Sequence, residues 1–244
     1  MIQKTILITG ANGGIGQALC HGFKKAGWYV VATDKTTCKD NIADQFITTD
    51  LNQLCMDEKY SAEKLNILKN IFPNGLTTLI NNAAIQIVAP IEKITLEDWQ
   101  VTQNVNVTAP FLLTKSLLPQ LEKGNGNIIN VASIHAHLTK PNFVAYATSK
   151  ASLVGLTHSL AVELGSRIRV NAISPAAIST DMLVAGFDDP KKLFKLAEYH
   201  PSQNIGSTQD VVDMALYLAE GGKFLNGAVI GLDGGIASRL HDPS

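Results

Sequence analysis

Thr5-Ile6-Leu7-Ile8-Thr9-Gly10-Ala11-Asn12-Gly13-Gly14-Ile15-Gly16 is the stretch on which the reading of this chain turns. Its first five residues are β-branched or apolar without a break, and glycines then fill four of the next seven positions. Beyond them Ile15, Ala18, Leu19, Phe23 and Ala26 keep one helical face apolar, and Gly27 stands where a C-terminal cap belongs. Strand, glycine turn and helix therefore follow one another directly. Such a turn lets backbone N–H groups approach a pyrophosphate, which the positive end of the helix also attracts. Short apolar runs recur at Tyr29–Thr33, Phe46–Thr49, Thr78–Asn81, Asn127–Ala132, Ile168–Ile173 and Ala228–Leu232, with helical stretches between them. Their apolar character is continuous rather than alternating, which means strands buried on both faces, as in a parallel sheet covered by helices. The expected fold is a single-domain α/β, Rossmann-type, doubly wound parallel sheet of about seven strands with helices on both faces. That domain spans 1–237, with an insertion at about 181–205 and a polar tail over 238–244; Ser207 and Asp210 open a late helix.

Composition narrows the function classes. The 244 residues are 45% hydrophobic and 17% charged, and 20 Lys+Arg nearly cancel 21 Asp+Glu. That balance argues against intrinsic disorder and against a dedicated nucleic-acid binder. No apolar run approaches the roughly 20 residues of a membrane-spanning helix, and the amino end lacks a signal peptide's layout, so a soluble, cytoplasmic protein without a membrane partner is expected. Cys20, Cys38 and Cys55 form neither a C-x-x-C pair nor a cluster with histidines, so they read as reduced structural thiols, and no metal site is expected.

Asp34, 18 residues beyond Gly16 and at the end of the second strand, stands where a carboxylate accepts hydrogen bonds from an adenosine ribose. A 2'-phosphate there would face that carboxylate, and two charges about 4 Å apart at an effective dielectric near 20 repel by about 4 kcal/mol. NAD(H) is thus favoured over NADP(H), although Lys35 partly offsets the repulsion. Hydride transfer at an alcohol carbon also needs a group that takes or gives the hydroxyl proton. Tyr146 and Lys150, four apart, share a helix face, and a cation at about 4 to 6 Å lowers an acid's pKa. Ser133, after the fifth strand, emerges at the carboxyl edge of the sheet and can orient the substrate oxygen.

In this order and spacing the motifs resemble those of the short-chain dehydrogenase/reductase family over nearly the whole chain. Thr9-Gly10 through Gly14-Ile15-Gly16 is similar to its T-G-x-x-x-G-x-G turn, Asn81-Asn82-Ala83-Ala84 to N-N-A-G, and Tyr146 to Lys150 to Y-x-x-x-K, with Ser133 lying 13 residues earlier. The resemblance implies a catalytic set of Asn106, Ser133, Tyr146 and Lys150. Cofactor contacts are implied at Gly10, Asn12, Gly14, Ile15, Gly16, Asp34, Asp50, Leu51, Asn82, Ala83, Tyr146, Lys150, Pro175, Ile178 and Thr180. Ala84 and Ala176 depart from the family's usual glycines. The implied activity is NAD(H)-dependent interconversion of a secondary alcohol and a ketone. The alternative is an NAD(H)-binding redox sensor without turnover, which would need the cofactor motif but not all four catalytic residues.

The insertion carries Met182, Leu183, Val184, Phe187, Leu193, Phe194, Leu196 and Tyr199 and, by the resemblance, closes over a largely apolar substrate pocket. Gln86, His135 and His137 add candidate polar contacts, and Lys191, Lys192 and Lys195 could attract an anion. In the helix after Tyr146, Ala151, Leu153, Val154, Leu156, Leu160, Ala161, Val162 and Leu164 fall on nearly every side, so a second copy is expected to cover part of it, giving a homodimer or homotetramer. Pro110 has no N–H to give to the Asn106 carbonyl four residues earlier, so a helix continuing from about Thr95 to Leu121 should be distorted there.

Overall fold

The computed structural model describes residues 3–38, 41–180, 183 and 190–240. Asp181, Met182, Val184 and Phe187 of the insertion, the end of the tail (241–244), and the side chains of Lys191, Lys192, Leu193 and Phe194 lie outside the described residues. Seven strands form one parallel sheet: β1 (Thr5–Thr9), β2 (Tyr29–Asp34), β3 (Gln45–Thr48), β4 (Thr78–Asn81), β5 (Asn127–Val131), β6 (Arg169–Pro175) and β7 (Val229–Leu232). Their order across the sheet is β3-β2-β1-β4-β5-β6-β7. Connections run outward in opposite directions from the β1–β4 neighbours, which leaves a crevice beyond their carboxyl ends.

The unbroken apolar strands feed two cores. Ile6 and Ile8 of β1 join Val30 and Ala32 on the face covered by Leu19 and Phe23 of α1 (Gly14–Lys25) and by Val211, Val212, Ala215 and Leu218 of α8 (Thr208–Glu220). Leu7, between them in sequence, points the other way with Val31 and Leu79. There it meets Leu68 of α3 (Glu58–Ile71), Leu113, Leu117 and Leu121 of α5 (Ala109–Lys123), and Leu164 of α6 (Val144–Leu164). Alternate residues of one apolar run thus fill opposite cores, the reason such strands show no polar alternation. At the end of α1 the expectation is corrected: Ala26 is exposed and caps the helix instead of joining its apolar face. The left-handed Gly27, at φ +83°, has already turned the chain away.

The stretch from 96 to 123 is continuous right-handed backbone, in which α4 (Leu96–Gln103) passes through a π-turn (Asn104–Thr108) into α5. Across the turn the Ala109 N–H donates to the Asn104 carbonyl, five residues back. Pro110 then follows in the first turn of α5, so the helix widens at the place where the proline withholds a bond from Asn106.

Helix α8 opens with a reciprocal cap. The Ser207 hydroxyl accepts from the Asp210 N–H at 3.3 Å, and the Asp210 carboxylate accepts from the Ser207 N–H at 2.7 Å. Because α8 packs directly on α1, fraying here weakens one whole core. Ser207→Ala should destabilise the domain by about 1 kcal/mol in denaturant unfolding; a shift below about 0.3 kcal/mol would mean that α8 does not depend on its cap.

Candidate active site

The crevice is shaped by contacts that exclude side chains. Gly10 has φ +67°, and a Cβ on it would lie 2.6 Å from the Ala83 Cα, so the exits of β1 and β4 touch backbone to backbone. Polar groups fix that contact: the Thr9 hydroxyl accepts from the N–H groups of Asn82 and Ala83, both at 3.0 Å. In return the Asn82 side-chain amide donates to the carbonyls of Thr9 and Gly10, at 2.9 and 3.1 Å. A Cβ at Gly16 would run into the Gly10 carbonyl, and one at Gly14 would press on the Thr180 methyl at 3.0 Å. The glycine turn is therefore wedged between the segments that follow β4 and β6.

Asp34 is held at the cavity edge by the Asn12 N–H, which donates to its Oδ2 at 3.0 Å. The Asn12 side chain turns away, donating to the Thr36 hydroxyl at 2.9 Å and to the Thr37 carbonyl at 3.2 Å. Asp50 caps the short helix α2 (Leu51–Met56), accepting from the N–H groups of Asn52 and Gln53.

These segments enclose a cavity of about 1140 Å³, larger than the roughly 300–1,000 Å³ of an ordinary small-molecule pocket. Gly10, Gly14, Ile15, Gly16, Asp34, Asp50, Leu51, Asn82, Ala83, Ser133, Tyr146, Lys150, Pro175, Ile178 and Thr180 all line it. The residues present fit a nicotinamide dinucleotide: a wall of glycines at positions 10, 13, 14 and 16, the Asp34 carboxylate, and the proton-bearing side chains of Ser133, Tyr146 and Lys150. Asn12 and Asn106 do not line the cavity. Ala84 and Ala176 do, and neither has the positive φ that would require glycine; among described non-glycine residues only Asn125, Asn142 and Gln203 do.

At the other end Ser133 follows β5 and caps a short 3-10 turn (Ile134–Ala136), its hydroxyl accepting from the His135 N–H at 3.2 Å. Burial raises the pKa of Tyr146 above its ordinary value near 10, while a hydrogen bond with the Ser133 side chain pulls it back. Lys150 Nζ donates to the Val131 carbonyl at 2.7 Å and lies 5.6 Å from the centre of the Tyr146 ring. Burial pushes the Lys150 ammonium down to about 7. The distance matches what the i, i+4 spacing implies, but the expected lowering of Tyr146 does not dominate. Both groups stand in an interior that penalises their charged forms.

Asn106 is a buckle. Its Oδ1 accepts from the Ile85 N–H at 2.8 Å, and its Nδ2 donates to the Ile85 carbonyl and to the Ser149 hydroxyl, both at 2.9 Å. Ser149 in turn donates to the Tyr146 carbonyl at 2.7 Å. The side-chain amide of Asn106 is thereby saturated by the chain itself, joining the loop after β4 to the helix that carries Tyr146 and Lys150.

At this end Phe143, Lys140 and His200 join the residues that the sequence points to. The His135 ring stacks on Phe143 at 4.4 Å between centroids and meets Tyr146 edge-on at 5.7 Å. Lys140 Nζ lies 4.9 Å from the centre of the Phe143 ring. Gln86, His135, Lys140, Phe143, Leu183, Leu196 and His200 line the cavity, whereas His137 is exposed and does not. Burial, and then the charge of Lys140, depress the His135 pKa, which favours the neutral ring. Phe143 could have been found from its place three residues before Tyr146, which puts both on one side of the helix start; nothing in the sequence marks Lys140 or His200. Burial drives the thiols of Cys20 and Cys55 up to about 12 and about 11, as inert structural cysteines require. Among the described residues no group of three His, Cys, Asp or Glu side chains could hold a metal ion, and no helix is long and apolar enough to cross a membrane.

The family model described as Enoyl-(Acyl carrier protein) reductase matches residues 10–237. The 3beta-hydroxysteroid dehydrogenase 1 of Eggerthella lenta is 30% identical, over 96% of this chain and 93% of that protein. Among solved structures, 4-hydroxyisoleucine dehydrogenase complexed with NADH superposes with a TM-score of 0.87 at 28% identity, covering 98% of this chain and 100% of the other. ElxO with NADP bound gives a TM-score of 0.86 at 28% identity and the same coverage. The family match, these likenesses and the order of the parallel sheet agree: the chain belongs to the short-chain dehydrogenase/reductase family, as an oxidoreductase.

Proposed function

We propose that the protein interconverts a secondary alcohol and a ketone with NAD(H) as cofactor. The observation that carries this reading is the pairing of Ser133 with Tyr146 in the wall of a cavity whose opposite end holds the glycine turn and Asp34. Bound nicotinamide would accept or supply the hydride. Ser133 donates a hydrogen bond to the substrate oxygen and orients it. Tyr146 takes the hydroxyl proton during oxidation and returns it during reduction. Lys150 works beside it in two ways, as a positive charge that favours the phenolate and as a donor to the cofactor ribose. Asn106 keeps this helix in register with the loop after β4. Asp34 faces the adenosine ribose and disfavours a 2'-phosphate, which makes NAD(H) the preferred form.

A second copy of the chain completes the outer face of α6. Leu153, Val154, Ala161 and Leu164 are buried inward, while Ala151 is exposed and Val162 is 85% exposed on the other side, among the exposed Ser152, His158, Ser159 and Glu163. We infer that a second copy covers the exposed Val162 and the small residues beside it, giving a homodimer or homotetramer.

Tyr146→Phe should lower kcat by about 100- to 10,000-fold while NADH still binds, as read by fluorescence titration; more than about a tenth of the activity remaining would remove Tyr146 from the proton-transfer role. Asp34→Ser should reduce the ratio of kcat/KM for NAD over NADP by at least about tenfold, and an unchanged ratio would pass the discrimination to Lys35 or the glycine turn. Light scattering at micromolar concentration should return a dimer or tetramer mass, and a monomer mass would leave the α6 face without its cover.

A further inference from the structure

His200 follows directly on α7 (Pro190–Tyr199), within the segment that separates β6 from α8, and is only 2% exposed. Its Nδ1 lies 2.8 Å from the Leu196 carbonyl oxygen. A carbonyl oxygen can only accept, so Nδ1 carries the proton, and in the neutral ring Nε2 is a bare acceptor. Among the described residues nothing hydrogen-bonds to that nitrogen. The residue stands in the wall of the main cavity and also of an adjoining chamber of about 360 Å³. The two walls otherwise share Ala177 and Ile178, whose side chains have no N–H or O–H to offer.

Ser202, Asn204, Asp210 and Asp233 also line the smaller chamber, yet none of them hydrogen-bonds to Nε2, and a buried acceptor fixed in one tautomer and left unpaired is met by a donor that enters with the ligand. We infer that His200 Nε2 accepts a hydrogen bond from a second hydroxyl of the substrate, so that the site takes diols, polyols or sugars in preference to simple alcohols. This rests on the oxidoreductase reading above and names its substrate class. The selection works through the mismatch: an alcohol lacking the second hydroxyl leaves the nitrogen unpaired, and a site built around a hydrogen bond rejects analogues that cannot make it.

The test measures kcat/KM with the purified full chain and NAD for matched pairs: butane-2,3-diol against butan-2-ol, cyclohexane-1,2-diol against cyclohexanol, and glucose against tetrahydropyran-2-ol. At least one polyhydroxy member should be preferred by about tenfold or more, and His200→Phe should reduce that preference to within about twofold, chiefly through KM. His200→Gln, whose amide oxygen still accepts, should keep part of it. Turnover of simple alcohols without any polyol preference in the wild-type enzyme overturns the inference by itself, whatever becomes of the variants. So does a preference that survives His200→Phe, or a loss of NADH affinity as large as the rise in polyol KM, which would make the nitrogen a cofactor contact. No NADH formation with any member of the panel overturns both this inference and the alcohol–ketone reading beneath it.

Discussion

The approach of Gly10 to Ala83 sets the width of the crevice, and the rest of the site is built around it. Two parallel strands normally carry their side chains past their ends, but here the turn after β1 must tuck against the segment after β4 so that backbone N–H groups line the opening. A methyl group at position 10 would stand 2.6 Å from the Ala83 Cα, and no rotamer relieves a clash between Cβ and main chain. The contact also needs its polar groups satisfied, because Gly10, Asn82 and Ala83 are each half-buried against the other exit. Thr9 and Asn82 do this for each other, exchanging hydrogen bonds that leave the Gly10 carbonyl paired and the turn fixed. Asn82 thus belongs to the cavity wall while its amide serves the fold.

The chemical end is held by a second clasp of the same kind. The helix from Leu96 to Lys123 cannot keep α-helical bonding through Pro110, and the π-turn just before it absorbs the mismatch. Asn106 occupies that turn, and its amide reaches both Ile85 and Ser149. Ser149 passes the constraint to the carbonyl of Tyr146, one helical turn from Lys150. A buried amide with its oxygen and both N–H bonds engaged is rigid, and removing any partner would leave a costly unpaired group. Asn106 therefore ties the helix that carries Tyr146 and Lys150 to the loop after β4, and its own side chain does not line the cavity.

Much of this could be read from residues alone. The strands were legible because burial on both faces demands unbroken apolar runs, and the glycine turn because only residues without Cβ allow such close approaches. Asp34, Ser133, Tyr146 and Lys150 were legible because each stands at a fixed distance along the chain from a strand end. What spacing cannot give is the partner a side chain chooses. Asn12 sits in the motif, yet its amide goes to Thr36 and Thr37 because those groups are nearer than the cavity. Phe143, Lys140 and His135 come together only through the fold of the loop before α6. The protonation of Lys150 was hidden for a different reason: its charge depends on how much water the folded chain leaves around it, which no local pattern encodes.

That desolvation has a consequence for how the site handles protons. Burial pushes the Lys150 ammonium down to about 7 and raises Tyr146 above its ordinary value. Taken singly, neither is suited to base catalysis at pH 7. Taken together, each corrects the other: a positive charge on Lys150 lowers the cost of a phenolate at 146, and a phenolate there raises the affinity of Lys150 for its proton. His135 stays out of this exchange, since burial and Lys140 favour its neutral ring, and it contributes shape through its stack on Phe143. On the proposed function the acid–base unit is the pair of Tyr146 and Lys150, with Ser133 hydrogen-bonded to the phenol and burial penalising the charged form of each.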